Sequence, residues 1–181
     1  PKDWINLQLT GMRAQDYTEA SLSFLMDQSK RNWSHELISL TGISRNLLSP
    51  IKHPSEILGG LTERVANRLG LSAGIPVLVG AGDYPTALLG SGACETGLGS
   101  DVTGTSTIMT IIHDNPVMHP NVSNLLEPSG NWGSFTLLDA GGDAIRWARR
   151  AFHENQRSYD EVDKAAIQAT AGSSSLFFLP Y

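Results

Sequence analysis

The stretch Gly74-Ile75-Pro76-Val77-Leu78-Val79-Gly80-Ala81-Gly82-Asp83-Tyr84-Pro85 constrains the fold more than any other part of the chain. Its apolar run, Val77-Leu78-Val79, is too short for a helix and reads as a buried strand. Gly80 and Gly82 break that run, and Pro85 to Ala93 reads as the helix that the turn feeds. Thr62 to Leu69, closed by Gly70, reads as a helix before it, so helix, strand, glycine turn and helix follow one another as in an α/β fold. Strand C-termini and helix N-termini meet at such turns, and chemistry collects there. Asp83 stands at that place. A carboxylate on a glycine turn can approach a substrate hydroxyl closely, orient it and accept its proton. The same residue can instead serve as the N-cap of a helix beginning at Pro85, and the residues alone leave both roles open.

Upstream, the signals are those of local scaffolding. Pro1 to Leu9 reads as a helix stopped by Gly11, and Asp16 followed by Glu19 caps a short helix through Leu22. Ser34 caps another, with Trp33 set to staple onto Ile38 and Gly42 to end it. Gly90, Gly92, Gly97 and Gly99 mark a change of composition, and a domain boundary is expected near Glu95 to Gly97. Beyond it, Asp101 to Thr103 and Thr107 to Ile112 flank Gly104-Thr105-Ser106, the spacing of two strands around a tight turn. The amides and hydroxyls of that turn could wrap phosphate oxygens, although an ordinary polar hairpin has the same composition. Phe135 to Leu138 reads as a third strand, Gly141-Gly142 leads into an amphipathic helix with Ile145, Trp147, Ala148 and Phe152, Tyr159 to Ala169 as a helix, and Leu176 to Leu179 as a last strand.

Thirteen Lys and Arg against eighteen Asp and Glu leave a formal charge of −5, which lacks the basic surplus of a nucleic-acid binder. One cysteine, Cys94, allows neither an internal disulfide nor a Cys-rich zinc site and fits the reducing cytoplasm; it reads as an ordinary small buried residue. No apolar run approaches a membrane span, and Pro1-Lys2-Asp3-Trp4 does not read as a signal peptide. Both ends look internal, as if the chain were cut from a longer one. The five histidines have no metal spacing, His113 and His119 reading as solvated, so no metal ligand is assigned. The four tryptophans read as packing residues, and Arg149 and Arg150 as solvated charge. Neither a Walker loop nor a G-x-G-x-x-G fingerprint is present.

Six segments in order resemble the FGGY family of carbohydrate kinases. Asp16-Tyr17-Thr18-Glu19-Ala20-Ser21 is similar to its T-D-x-x-x-A-S segment, with Gln15 in place of the usual Thr, and Trp33 to Gly42 with Ile43 to Leu48 is similar to W-x-x-E-L-L-x-x-x-G-I and L-L-P. Gly74 to Asp83 resembles G-I-P-V-x-x-G-x-G-D, Thr103 to Ser106 the G-T-S-G turn, Gly141 to Trp147 the glycine-led helix beside the nucleotide, and Leu176 to Tyr181 the L-x-F-L-P-Y run. Thr107 stands where the second glycine of G-T-S-G is frequent, and Tyr84 where Gln or Asn often follows the aspartate.

The resemblance implies an α/β, actin-like (ribonuclease H-like) ATPase fold, of which this chain would hold parts of two domains. Residues 1–96 would end the first, sugar-binding domain and residues 97–181 begin the second, nucleotide-binding one. It implies transfer of the γ-phosphoryl of ATP, with Mg2+, to a hydroxyl of a pentulose or related sugar or polyol, in a xylulose-kinase-like manner. Asp83 would be the catalytic base, Asp83 and Tyr84 would meet the sugar, and Gly104, Thr105, Ser106, Gly142 and Arg146 would meet the nucleotide. The implied partners are the sugar and ATP, without nucleic acid or membrane and with room for a homodimer, in the cytoplasm. A non-catalytic, nucleotide-responsive actin-like scaffold, in which Asp83 is only a cap, is the alternative.

Overall fold

The computed structural model describes residues 1–153 and 156–179. In chain order its elements are α1 (Lys2–Thr10), β1 (Gln15–Asp16), α2 (Tyr17–Ser21), β2 (Met26–Asp27), β3 (Asn32–Trp33), α3 (His35–Thr41), β4 (Ile51–Lys52), β5 (Ile57–Gly60), α4 (Glu63–Leu69) and β6 (Pro76–Leu78). There follow α5 (Asp83–Gly90), β7 (Gly99–Thr103), β8 (Thr107–His113), β9 (Ser123–Leu126), β10 (Trp132–Leu138), α6 (Gly142–His153) and α7 (Tyr159–Ile167).

Helix ends fall where local chemistry puts them. Gly11, Gly42 and Gly70 take left-handed φ angles of 74°, 69° and 68° and close α1, α3 and α4. Asp16 accepts from the backbone N–H groups of Thr18 and Glu19 at the start of α2, and Ser34 accepts from that of Leu37 at the start of α3. Ser158 and Glu161 form a reciprocal capping box on α7.

The chain divides into two compact units, residues 1–100 with 110–135 and residues 101–109 with 136–181. In this division residues 110–135 group with the upstream residues. Among the described residues, each buried hydrophobic core residue belongs to the first unit. Tyr17, Ala20, Met26, Trp33, Ile38, Leu126 and Trp132 form one cluster, so Trp33 and Ile38 pack together as their spacing requires. Leu88, Ala93, Ile112 and Leu125 form a second, and Ala14, Leu58 and Val79 a third under the glycine turn. The order β7-β8-β10-β9 makes the largest sheet, β1 pairs in parallel with β4, and β5 pairs antiparallel with β6.

Several expectations need correction. Of Val77-Leu78-Val79 only Val79 is buried, while Leu78 is 52% exposed, because β6 is one strand of a two-stranded pair. Trp4 and Trp147 are 66% and 45% exposed instead of packed, whereas Trp132 is buried. Cys94 is half-buried. Leu176 to Leu179 forms no strand among the described residues; a turn with three left-handed residues, Ser173 to Ser175, precedes it. Arg149 is not a free solvated charge: its Nε donates to Arg157 O at 2.5 Å and its guanidinium lies 4.5 Å from the Tyr159 ring centre. No helix of the described residues is long and apolar enough to cross a membrane.

Candidate active site

Asp83 is the first residue of α5 and follows the N-cap Gly82. The helix therefore begins two residues before Pro85, whose missing N–H is harmless in a first turn. This removes the cap reading, since Asp83 caps nothing with its side chain beyond accepting from Tyr84 N–H at 2.8 Å. The carboxylate is exposed and lines a pocket of about 260 Å3 with Lys2, Asp3, Glu19, Ala81 and Gly82.

The turn that carries Asp83 is held from both sides. Gly80, at a left-handed φ of 76°, donates its N–H to Pro54 O at 2.9 Å, and Val79 O receives Asn6 Nδ2 at 2.7 Å. Gly82 N–H donates to Thr18 Oγ1 at 3.1 Å, and Gly82 O accepts both the N–H and the hydroxyl of Thr86, at 3.0 and 2.7 Å. Thr18 in turn donates its hydroxyl to Asp16 Oδ1. Asp16 and Thr18 are fully buried, and Lys2 Nζ lies 2.9 Å from Asp16 Oδ2. Burial by itself would lower the Lys2 pKa, but the hydrogen bonds and charges of Asp3 and Asp16 overcome it and hold the ammonium above its usual range.

Tyr84 does not turn its hydroxyl to this pocket. Its Oη is hydrogen-bonded to Thr110 Oγ1 at 2.5 Å, and its ring packs 6.2 Å from that of Phe135. A phenol so engaged packs α5 on the sheet.

The second unit brings Gly104, Thr105, Ser106 and Gly142 together. Gly104 N–H closes the turn on Ser106 O at 2.8 Å, so this amide is not free for an anion. The turn's carbonyls receive the start of α6: Gly141 N–H donates to Thr105 O and Gly142 N–H to Gly104 O, each at 2.8 Å. A Cβ at Gly142 would fall within 3.0 Å of Gly104 O, and one at Gly141 within 3.0 Å of Thr107 Oγ1 and the Ser106 carbonyl carbon. Glycine is required at both places by close approach. Thr103 Oγ1 donates to Asp101 Oδ1 at 2.6 Å and lies 3.0 Å from Thr107 Oγ1, so Thr107 braces the turn in place of a glycine.

Arg146 lies one turn into α6, where Nη2 pairs with Asp143 Oδ1 at 3.0 Å. Both line a cavity of about 590 Å3 with Trp147, Arg150 and Phe178, and Trp147 stacks on Phe178 at 5.4 Å. Asp83 and Tyr84 thus belong to the first unit and the five expected nucleotide residues to the second. Sequence reasoning missed Lys2 as a site residue and read Asp16 only as a cap and Thr18 only as part of a segment. A buried Asp–x–Thr beside a glycine turn was visible only as a local cap, since the Gly82 contact spans 64 positions.

Comparison with known proteins gives concordant results. Residues 1–90 match the family model "FGGY family of carbohydrate kinases, N-terminal domain". An autoinducer-2 kinase from Yersinia pestis (strain Pestoides F) is 31% identical over 94% of this chain and 34% of its own length. The ligand-bound xylulose kinase of Lactobacillus acidophilus superposes with a TM-score of 0.85 at 25% identity, covering 99% of this chain and 37% of that one. The gluconate kinase of the same organism gives 0.87 at 24%, over the same shares. The chain spans about a third of the length of the curated relatives it matches.

Proposed function

Because this chain belongs to the FGGY family of carbohydrate kinases, we propose that it is part of an ATP-dependent sugar kinase in which Asp83 is the general base. The observation that carries the reading is the placement of Asp83. It opens α5 and lines a pocket with Lys2, Asp3 and Glu19, on a turn fixed by Thr18, Thr86 and Pro54. A base must be held so to take a proton from an attacking hydroxyl without searching for it. In this reading residues 1–96 close the sugar-binding domain and residues 97–181 open the nucleotide-binding one.

Asp83 orients the sugar hydroxyl and accepts its proton as the oxygen attacks the γ-phosphorus of ATP. Tyr84 contributes its backbone N–H, which orients the Asp83 carboxylate, and its ring, which seats α5. Thr105 and Ser106 offer hydroxyls to phosphate oxygens, while Gly104 shapes the turn and Gly142 lets α6 approach it. Arg146 reaches the nucleotide from the next turn of α6. The residues suit a phosphate group through hydroxyl donors and close backbone approach, and the described residues hold no cluster of three metal-ligating side chains. When bound with ATP, Mg2+ would supply charge neutralisation at the transferred group. Phosphoryl transfer of this kind draws most of its rate from positioning and electrostatics. The cytoplasm, with its ATP, is the proposed compartment.

The sugar is proposed to be a pentulose of the xylulose type, supported by the 0.85 likeness to a xylulose kinase. The 31% identity to autoinducer-2 kinases supports autoinducer-2 as the second reading. ADP release by the full-length protein, measured with D-xylulose, gluconate and autoinducer-2 in parallel, tests both. Sugar-dependent release with D-xylulose at the highest kcat/KM supports the first reading. Preference for autoinducer-2 supports the second, and ADP release that no sugar stimulates overturns the kinase assignment.

A further inference from the structure

We infer that Lys2 and the buried Asp16 and Thr18 form a positioning relay that fixes the Gly82 amide and thereby aims Asp83. The inference rests on the reading of Asp83 as the base and extends it to residues that never touch the substrate.

The chemistry of the relay is directional. Asp16 is fully buried, its Oδ2 lies 2.9 Å from Lys2 Nζ, and its Oδ1 accepts from the Thr18 and Glu19 N–H groups and from the Thr18 hydroxyl. The Thr18 hydroxyl thus donates to Asp16 Oδ1, and its oxygen then presents a lone pair to one donor, Gly82 N–H at 3.1 Å. A neutral or absent Asp16 would free the hydroxyl to rotate. Lys2 also donates to Val79 O at 3.2 Å, so one ammonium ties the buried carboxylate to the end of β6.

Gly82 is where this matters. It is buried, it immediately precedes Asp83, and it has no side chain to anchor it. Thr86 fixes the carbonyl side of residue 82 and Thr18 fixes the amide side. Removal of the Thr18 contact leaves the 81–82 peptide free to rotate, and a rotation of tens of degrees displaces the Asp83 carboxylate by more than the margin that a near-attack geometry tolerates. The expected loss is in kcat and not in KM, because the pocket side chains Lys2, Asp3 and Glu19 lie outside the 81–82 peptide.

The test uses the full-length protein, with D-xylulose, gluconate and autoinducer-2 as sugars, and the variants Thr18→Val, Thr18→Ser and Asp83→Asn. Amide hydrogen exchange across residues 80–84 is read alongside kcat, KM and the melting temperature. Thr18→Val is expected to lower kcat at least about tenfold with KM within about threefold, and to speed exchange at Gly82 at least about tenfold. Thr18→Ser, which keeps the oxygen, is expected to restore both. Exchange at Gly82 in the unmodified protein at the rate of an unprotected amide overturns the inference even if Thr18→Val does not fold. An inactive Asp83→Asn together with normal kcat in Thr18→Val overturns the relay alone. Normal turnover by Asp83→Asn, or no sugar-stimulated turnover in the unmodified protein, overturns the base assignment and the relay with it.

Discussion

Replacing Gly142 by Ala puts a methyl group against the carbonyl oxygen of Gly104, at a separation below 3.0 Å. Backbone opposes backbone there, so no side chain can swing aside. The gap must open by about 1 Å to reach ordinary van der Waals contact. The 2.8 Å hydrogen bond from Gly142 N–H to Gly104 O cannot survive that movement. Its loss costs about 1 kcal/mol, and the forced displacement of a packed turn about 1–3 kcal/mol, for a sum near 2–4 kcal/mol. Because the same movement displaces Thr105, the KM for ATP rises as well in this account. Gly82→Ala is the control: its methyl meets Glu19 Oε1, the far end of an exposed side chain that can rotate away. That substitution is expected to change stability by less than about 1 kcal/mol. Urea denaturation of the full-length protein, followed by tryptophan fluorescence, with ATP titrations on each variant, reads both effects. A Gly142→Ala protein with the stability and ATP KM of the unmodified one would refute the close-approach argument.

Thr105→Val is expected to raise the KM for ATP at least about fivefold and leave that for the sugar within about twofold, since it removes one hydroxyl from the proposed phosphate turn; steady-state kinetics with each substrate varied checks it, and a change in the sugar KM alone would reassign Thr105. Lys2→Met leaves the buried Asp16 carboxylate without its cation, and a loss of about 3 kcal/mol is expected, the low end for a buried pair because a quarter of the Lys2 side chain is exposed. Burial pushes the Tyr17 phenol up to about 12, so the stability that it adds is complete below its unfolded value of about 10 and is lost as pH rises from there toward 12. Lys2, also raised, acts in the same direction at still alkaline pH. Tyr17→Phe should flatten the fall of stability between pH 10 and 12 in urea melts; an unchanged slope would contradict this.

Much of the local structure was legible in the residues themselves. Helix stops at Gly11, Gly42 and Gly70 and caps at Asp16 and Ser34 require only neighbours a few positions away, and they stand where the sequence pattern expects them. The glycine turn before Asp83 was legible for the same reason. What was not legible depends on distant partners. Whether Leu78 is covered depends on how many strands flank β6, and whether Leu176 to Leu179 pairs depends on a neighbour that the local pattern cannot supply. The strand Ser123–Leu126 went unseen because Ser123-Asn124 has no strand preference, and the pairing with Trp132 to Phe135 overrides it. At the site, Asp16 reads as a cap from its neighbours, which it is, but its ion pair with Lys2 and the reach of Thr18 to Gly82 join residues 14 and 64 positions apart. At Tyr84 the resemblance implies contact with the sugar, and the distant partner that the local sequence does not show is Thr110, hydrogen-bonded to its hydroxyl.

The central claim is that Asp83 removes a proton from a sugar hydroxyl, and kinetics of Asp83→Asn in the full-length protein test it most directly. The substitution keeps the shape of the side chain and its acceptor for Tyr84 N–H, and removes the base. Sugar-dependent ADP release is expected to lose at least about a thousandfold in kcat while the sugar KM stays within about threefold. A kcat within about tenfold of that of the unmodified protein would contradict the account.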